Sequence, residues 1–271
     1  MKIDIWSDIV CPFCYIGRTH LEKAIEASEH GEDLRRDLQI VWHSFELDPT
    51  YAKGNATPLV ELVAKKYGVT PEQAARQHEA MHAQAAAVGL DFRWEQARYG
   101  NTFDAHRVGH LAARAGRDIA DAYELRLMKA YFTDGLLVED PAVIRELAVE
   151  VGLAEADVRR VLESDEFAAE VRADEEAARR LGITGVPFFV FDEKYAVSGA
   201  QPVEVFVRAL STAWEESRPA PFRMVTGDKT STDTAPHDEP HEGAVPEGAV
   251  CGPDGCEIPS ASPDGTAAGA R

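Results

Sequence analysis

Residues 2–7 alternate, with Ile3 and Ile5 set between polar neighbours, and this predicts a short strand. The period then lengthens. From about Cys14, a stripe of Ile16, Leu21, Ala24 and Ile25 opposes Glu22, Lys23 and Glu26, which predicts a helix stopped by Gly31. Residues 39–47 alternate again, with Val41, His43, Phe45 and Leu47 on one face, and form a second strand. Over 57–182 the punctuation is that of helices. Thr57-Pro58 and the capping box Thr70-Pro71-Glu72-Gln73 are starts, and Gly68 and Gly89 are stops. Further helices are expected over 101–116, 118–133, 140–152 and 164–182, about six in the block. Pro187-Phe188-Phe189-Val190-Phe191, a polar turn and Tyr195-Ala196-Val197-Ser198 read as a β-hairpin. Pro202 opens a last helix on Val203, Phe206, Val207, Leu210 and Trp214.

The order is strand, helix, strand, helical block, hairpin, helix, an α/β chain interrupted by an all-helical insertion. It divides into a discontinuous domain over 1–56 and 183–218, an inserted helical domain over 57–182, and a tail over 219–271. Past Gly227 the tail carries nine acidic residues against Lys229 and Arg271 and almost no large apolar side chain, so it is expected to be disordered. With 271 residues and 45% apolar content, the rest can build a core without staples. A formal net charge of −19 gives no footing on phosphate backbones or anionic lipid, so neither nucleic acid nor membrane is expected as a partner. The longest apolar run, 186–191, is far short of the ~20 residues of a spanning helix. Asp4 and Asp8 break any leader-like stretch at the start, and the expected location is the cytoplasm.

In that compartment cysteine pairs are more often redox-active or metal-binding than structural. There are four cysteines, in two pairs. Cys11-Pro12-Phe13-Cys14 falls where the first strand meets the first helix. A thiol there is favoured as thiolate by unpaired N–H groups and the positive end of the helix dipole. Cys14, within the first turn, is placed to attack a mixed disulfide at Cys11 and close the ring. Pro12 presets the turn; Phe13 is expected to be exposed and to offer substrate apolar contact. The rival readings are half a zinc site and an incidental pair of buried thiols, but the strand-to-helix position is the one redox chemistry needs.

Val186-Pro187 leads straight into a strand. A proline there leaves an edge open, and a cis bond would free the Val186 backbone to pair with an extended substrate chain; a trans proline merely starting the strand is the alternative. Four segments occur together in order: Ser7-Asp8-Ile9-Val10-Cys11-Pro12-Phe13-Cys14-Tyr15-Ile16-Gly17, Asn101-Thr102-Phe103-Asp104-Ala105-His106-Arg107, Gly185-Val186-Pro187-Phe188-Phe189-Val190-Phe191 and Ser198-Gly199-Ala200-Gln201-Pro202. Together they resemble DsbA-like thiol-disulfide oxidoreductases of the FrnE type, over about residues 1–214. The resemblance implies a thioredoxin fold with a helical insertion, Cys11 as nucleophile, Cys14 as resolving thiol and Pro187 as a cis-proline facing them. It implies protein thiols and disulfides as substrates and no organic cofactor, with glutathione, another small thiol or a thioredoxin-like protein as reductant. Where the best known members carry His, this chain has Phe13, which makes the pair less oxidising and opens reduction and isomerisation beside oxidation.

Kappa-class glutathione transferases and hydroxychromene-carboxylate isomerases look similar around Asn101, His106 and Arg107, three residues that either line a site or belong to an ordinary capped helix. Those enzymes place Ser where this chain has Cys11. Asp8 would raise the Cys11 pKa or relay protons, and His43 and Glu46 are candidate proton shuttles for Cys14. In the tail, Cys251-Gly252-Pro253-Asp254-Gly255-Cys256 favours a tight reversal able to form a second redox pair. With His237 and His241 the same cysteines make a conceivable zinc set; an incidental pair is the third reading. No metal is assigned to the Cys11–Cys14 site.

Overall fold

A computed structural model of the chain describes residues 1–217, 250–252 and 255–257. Strand β1 (Lys2–Ser7) runs parallel to β2 (Gln39–Ser44), with Ile3 opposite Ile40 and Ser7 opposite Ser44. On its other side β1 pairs antiparallel with β5 (Phe188–Phe191), which pairs with β6 (Tyr195–Ser198), giving the order β2-β1-β5-β6. This is a thioredoxin fold.

Alternation decides what each face of the sheet buries. Ile3, Ile5, Phe189 and Phe191 pack with Leu21, Ala24 and Ile25 of α1 (Pro12–Ala27), Leu34 of α2 (Gly31–Asp37), and Phe206, Leu210 and Trp214 of α10 (Val203–Ser217). The opposite face carries Asp4, Trp6 and His43 toward the helices that lie between β2 and β5.

Those helices are α3 (Leu59–Tyr67), α4 (Pro71–Ala87), α5 (Phe103–Ala115), α6 (Arg117–Phe132), α7 (Pro141–Glu150), α8 (Glu155–Leu162) and α9 (Ala168–Arg180). The predicted capping box is present at Thr70 and Gln73. Two-residue strands β3 (Thr57–Pro58) and β4 (Arg98–Tyr99) tie the foot of α3 to the start of the α5 segment. The block holds one helix more than its pattern suggested. Instead of capping a helix, Ser164 closes α8 by bonding the Arg160 carbonyl at 2.7 Å, and α9 starts after Phe167, whose φ of 65° makes the break. One apolar cluster joins Ile9, Val10, Phe13 and Ile16 to Tyr123, Leu127, Met128 and Val158.

In the tail, β7 (Val250–Gly252) and β8 (Gly255–Glu257) form a small antiparallel hairpin where the sequence favoured a tight reversal between Cys251 and Cys256. The rest of the expected disordered tail, with His237 and His241, lies outside the described residues. No helix among the described residues is long and apolar enough to cross a membrane.

Candidate active site

The turn after β1 places Cys11 at the N-cap of α1, and Pro12 supplies the fixed φ of the first helical position. The Cys11 amide donates to the Asp8 carbonyl at 3.1 Å, and the Cys14 amide to the Cys11 carbonyl at 3.1 Å, so one tight turn holds both sulfurs. Both are free thiols. The Val186–Pro187 peptide is cis, and the Cys11 thiol lies 3.5 Å from the Val186 carbonyl as its donor. Pro187 reaches this position because α1 has glycine at position 17. A Cβ there would stand 3.0 Å from Pro187 Cγ and 3.2 Å from Phe189 Cζ.

Two expectations about this turn need correction. Phe13 is only 1% exposed. It belongs to the inward stripe of Ile16, Gly17, Leu21 and Ala24 at helical spacing, so it supports the motif from behind and offers no surface to substrate; Pro12, half-buried, is the part of the motif nearer solvent. Cys11 was expected to be reachable and ionised, yet it is 0% exposed. Burial pushes its thiol pKa well up, and Cys14 and the Asp8 carboxylate push the same way. Losing hydration costs a thiolate several kcal/mol, against roughly 0.3–2 kcal/mol from a helix dipole, so burial wins in this closed arrangement.

Behind the motif lies a buried polar group that no local pattern announces. Asp8 Oδ2 accepts from the Leu47 amide at 2.8 Å, and Oδ1 stands 3.5 Å from His106 Nε2. Burial alone would depress His106, but Asp8, Glu124 and Glu46 outweigh it and push its pKa to about 9. Glu124 is lifted by burial to about 7, moderated by His106 and His110. Glu46 is raised by burial, against His106 and Arg172, which bonds its Oε2. Ser7 Oγ, Asp8 Oδ1, Glu46 Oε1, His106 Nε2 and Tyr131 Oη are buried with no hydrogen-bond partner among the described residues.

The other sequence candidates separate. His106 faces Asp8, whereas Asn101 and Arg107 do not line the site. Asn101 Nδ2 donates to the Tyr51 carbonyl at 2.9 Å, and its Oδ1 accepts from Phe103 N at 3.1 Å. Arg107 bonds the carbonyls of Val161, Ser164 and Glu166 and the Asp104 carboxylate, holding the end of α8. His43 has no free nitrogen for shuttling, since Nδ1 contacts Asp174 and Nε2 contacts Asp4, each at 2.8 Å. Among the described residues no group of His, Cys, Asp and Glu is arranged to hold a metal.

Beside the motif opens an apolar cavity of about 420 Å³, walled by Val10 and Pro12, by Leu59 and Met81 of α3 and α4, and by Phe92 and Trp94. His78 lines it too, stacked on Trp94 at 5.2 Å, with its pKa lowered by burial and its Nε2 buried without a hydrogen-bond partner among the described residues. Gly252 of β7 also borders this cavity. In the tail hairpin, Cys251 stands directly opposite Cys256.

The family model of the DsbA-like thioredoxin domain matches residues 2–211. A Streptomyces coelicolor protein whose crystal structure is described as that of a probable DsbA oxidoreductase is 41% identical with a TM-score of 0.74, over 96% of this chain and 100% of its own. The cytosolic disulfide reductase DsbM of Pseudomonas aeruginosa has the same fold at 19% identity and TM-score 0.53, over 80% of this chain and 100% of that one. YwbO, an uncharacterized protein of Bacillus subtilis (strain 168), is 26% identical over 213 residues, 78% of this chain and 96% of its own.

Proposed function

This chain belongs to the DsbA-like thioredoxin-domain family, and from that premise we propose that it is a thiol-disulfide oxidoreductase that reduces, forms or reshuffles protein disulfides through Cys11. One observation carries the reading: Cys11 sits at the N-cap of α1 with Cys14 one turn on, and its sulfur lies against the carbonyl of a cis Val186–Pro187 peptide.

In the reducing direction the Cys11 thiolate attacks one sulfur of a substrate disulfide. The Cys11–substrate bond forms, the substrate S–S bond breaks, and the departing sulfur takes a proton as a thiol. Cys14, deprotonated, then attacks Cys11 sulfur, releasing the second substrate thiol and closing the Cys11–Cys14 disulfide. Two electrons pass from the enzyme pair to the substrate. Run backwards, the same steps oxidise a dithiol, and stopping at the mixed disulfide lets a substrate reshuffle. A small thiol such as glutathione or a thioredoxin-like protein returns the pair to the reduced form; the DsbM structure determined with GSH supports that class of reductant. The working compartment on this reading is the cytoplasm, in keeping with the cytosolic DsbM.

Phe13 offers the Cys11 thiolate no side-chain hydrogen bond, which favours a pair that is reducing or isomerising over a strong oxidant. The test is reduction of insulin disulfides by wild type, Cys11→Ser and Cys14→Ser. Cys11→Ser is expected to lose turnover, and Cys14→Ser to accumulate a substrate adduct at Cys11. Turnover surviving in Cys11→Ser would falsify the assignment.

A further inference from the structure

Cys11 has no exposed surface, although the reading above needs a substrate sulfur to reach it. The C-terminal hairpin stands close by. Gly252 of β7 borders the apolar cavity together with Val10 and Pro12, the two neighbours of Cys11 in sequence. It presses so closely on the loop before the cis-proline that a Cβ at 252 would lie 2.9 Å from the Thr184 carbonyl oxygen and 4.0 Å from Gly185 Cα. That loop continues into Val186, whose carbonyl receives the Cys11 thiol. Only a glycine fits this approach.

From this placement we infer that the C-terminal hairpin β7–β8 docks on the rim of the cavity beside Cys11, seated through Gly252 on Thr184 and Gly185, and closes the dithiol until it is displaced. This deepens the reading of Cys11 as the attacking thiol and rests on it. The hairpin is suited to the task. Two residues, Pro253 and Asp254, connect its strands, and Cys251 pairs with Cys256 one position out from the connection. Antiparallel partners lie about 4.5–5.5 Å apart at Cα, within the span a disulfide bridges, so the backbone register allows a bond between these two positions. Roughly 32 residues of the same chain separate it from α10, so its docking is intramolecular and a weak contact suffices to keep it seated. Burial of Cys11 then has a purpose: the resting thiol is kept un-ionised and out of water, and it gains reactivity when the hairpin leaves.

The experiment reads accessibility instead of turnover. The full-length chain is reduced with a phosphine, freed of it by desalting without air, treated with iodoacetamide at neutral pH, and alkylation at Cys11 is followed by peptide mass mapping. Gly252→Val, which forces a side chain against the Thr184 carbonyl, is expected to alkylate at Cys11 about tenfold faster or more, as a docking preference of about 1.4 kcal/mol predicts. A synthetic peptide of residues 248–259, cyclised through its own two cysteines, is expected to slow that alkylation again in the variant. Equal rates in wild type and Gly252→Val overturn the proposal. So does protection by an unrelated apolar peptide where the cyclised peptide protects nothing, because the site then belongs to another occupant. Loss of insulin turnover in Cys11→Ser together with unchanged alkylation in Gly252→Val defeats the docking alone and leaves the proposed function standing.

Discussion

At the scale of single residues, the site is tuned by two groups flanking the sulfurs. Asp8 is fully buried beside the motif, and its negative charge works with burial against a thiolate at Cys11. Replacing Asp8 with Asn keeps an oxygen for the Leu47 amide while removing the charge. The Cys11 thiol pKa in Asp8→Asn is therefore expected to fall, because a nearby negative charge disfavours the thiolate. The pH profile of alkylation measures this, and a profile unmoved or shifted upward defeats the argument. Gly17 acts sterically. In Gly17→Val the Cβ alone comes within 3.0 Å of Pro187 Cγ, and two further methyl carbons crowd the same gap between α1 and the cis-proline. Overpacking of this kind costs roughly 1–3 kcal/mol, so urea unfolding should show a loss of that size with slower insulin reduction. A variant as stable and active as wild type would mean that Pro187 yields without consequence.

At the scale of elements, β2 and α9 are locked to β1 by one charged histidine. His43 stacks on Trp6 at 4.4 Å and sits between Asp4 of β1 and Asp174 of α9, while Asp174 also accepts from the Ser44 amide. Burial works to depress the His43 pKa, but the two carboxylates raise it to about 9. Because the folded pKa lies above the ordinary 6.5, this contribution is fully present below pH 6.5 and is lost as pH rises through about 9. The shift corresponds to roughly 3 kcal/mol, and His43→Gln should show a correspondingly smaller loss of unfolding free energy between those pH values. An equally steep loss in the variant would assign the effect elsewhere.

The elements themselves were legible wherever periodicity ran long enough. Alternation at Ile3 and Ile5, the capping box at Thr70, and the hairpin from Phe188 to Ser198 all read directly from local pattern. The short pieces were not. Gly31 looks like a stop yet opens α2, and α8 is short and polar on much of its surface, so its boundary at Ser164 looked like a start. The site divides the same way. Cys11 and Cys14 are neighbours in sequence, whereas Asp8, Glu46, His106 and Glu124 come from a turn, the segment after β2, α5 and α6, and only tertiary packing brings them together. Phe13 was readable in principle, because it continues the apolar stripe of α1, but its position between the cysteines drew the eye to function.

At the scale of the whole molecule, the division of the chain into a sheet domain and a helical insertion does not divide its core. The cluster that contains Cys11, Phe13 and Cys14 also contains Tyr123, Leu127 and Met128 of α6, Ile144 of α7 and Val158 of α8. The packing around the reacting site is thus shared: Trp6, Ile9, Ile16, Leu47 and Val186 of the sheet domain and the helices of the insertion form one apolar cluster with the cysteine turn. A shared core of this kind makes partial unfolding costly, since separating the helices would expose the floor of the motif together with its buried charges. Unfolding in urea should therefore be a single transition. Tryptophan fluorescence, which samples Trp6 and Trp42 in the sheet, Trp94 beside the cavity and Trp214 in α10, should share its midpoint with the helical far-ultraviolet signal. Met128, fully buried within the helices, supplies the sharper form of the test. Met128→Ala should shift both probes together by about 2–5 kcal/mol and loosen the packing that encloses Cys11. Two separated midpoints, or a shift confined to the helical signal, would show that the insertion folds on its own and that the dithiol turn is held by the sheet alone.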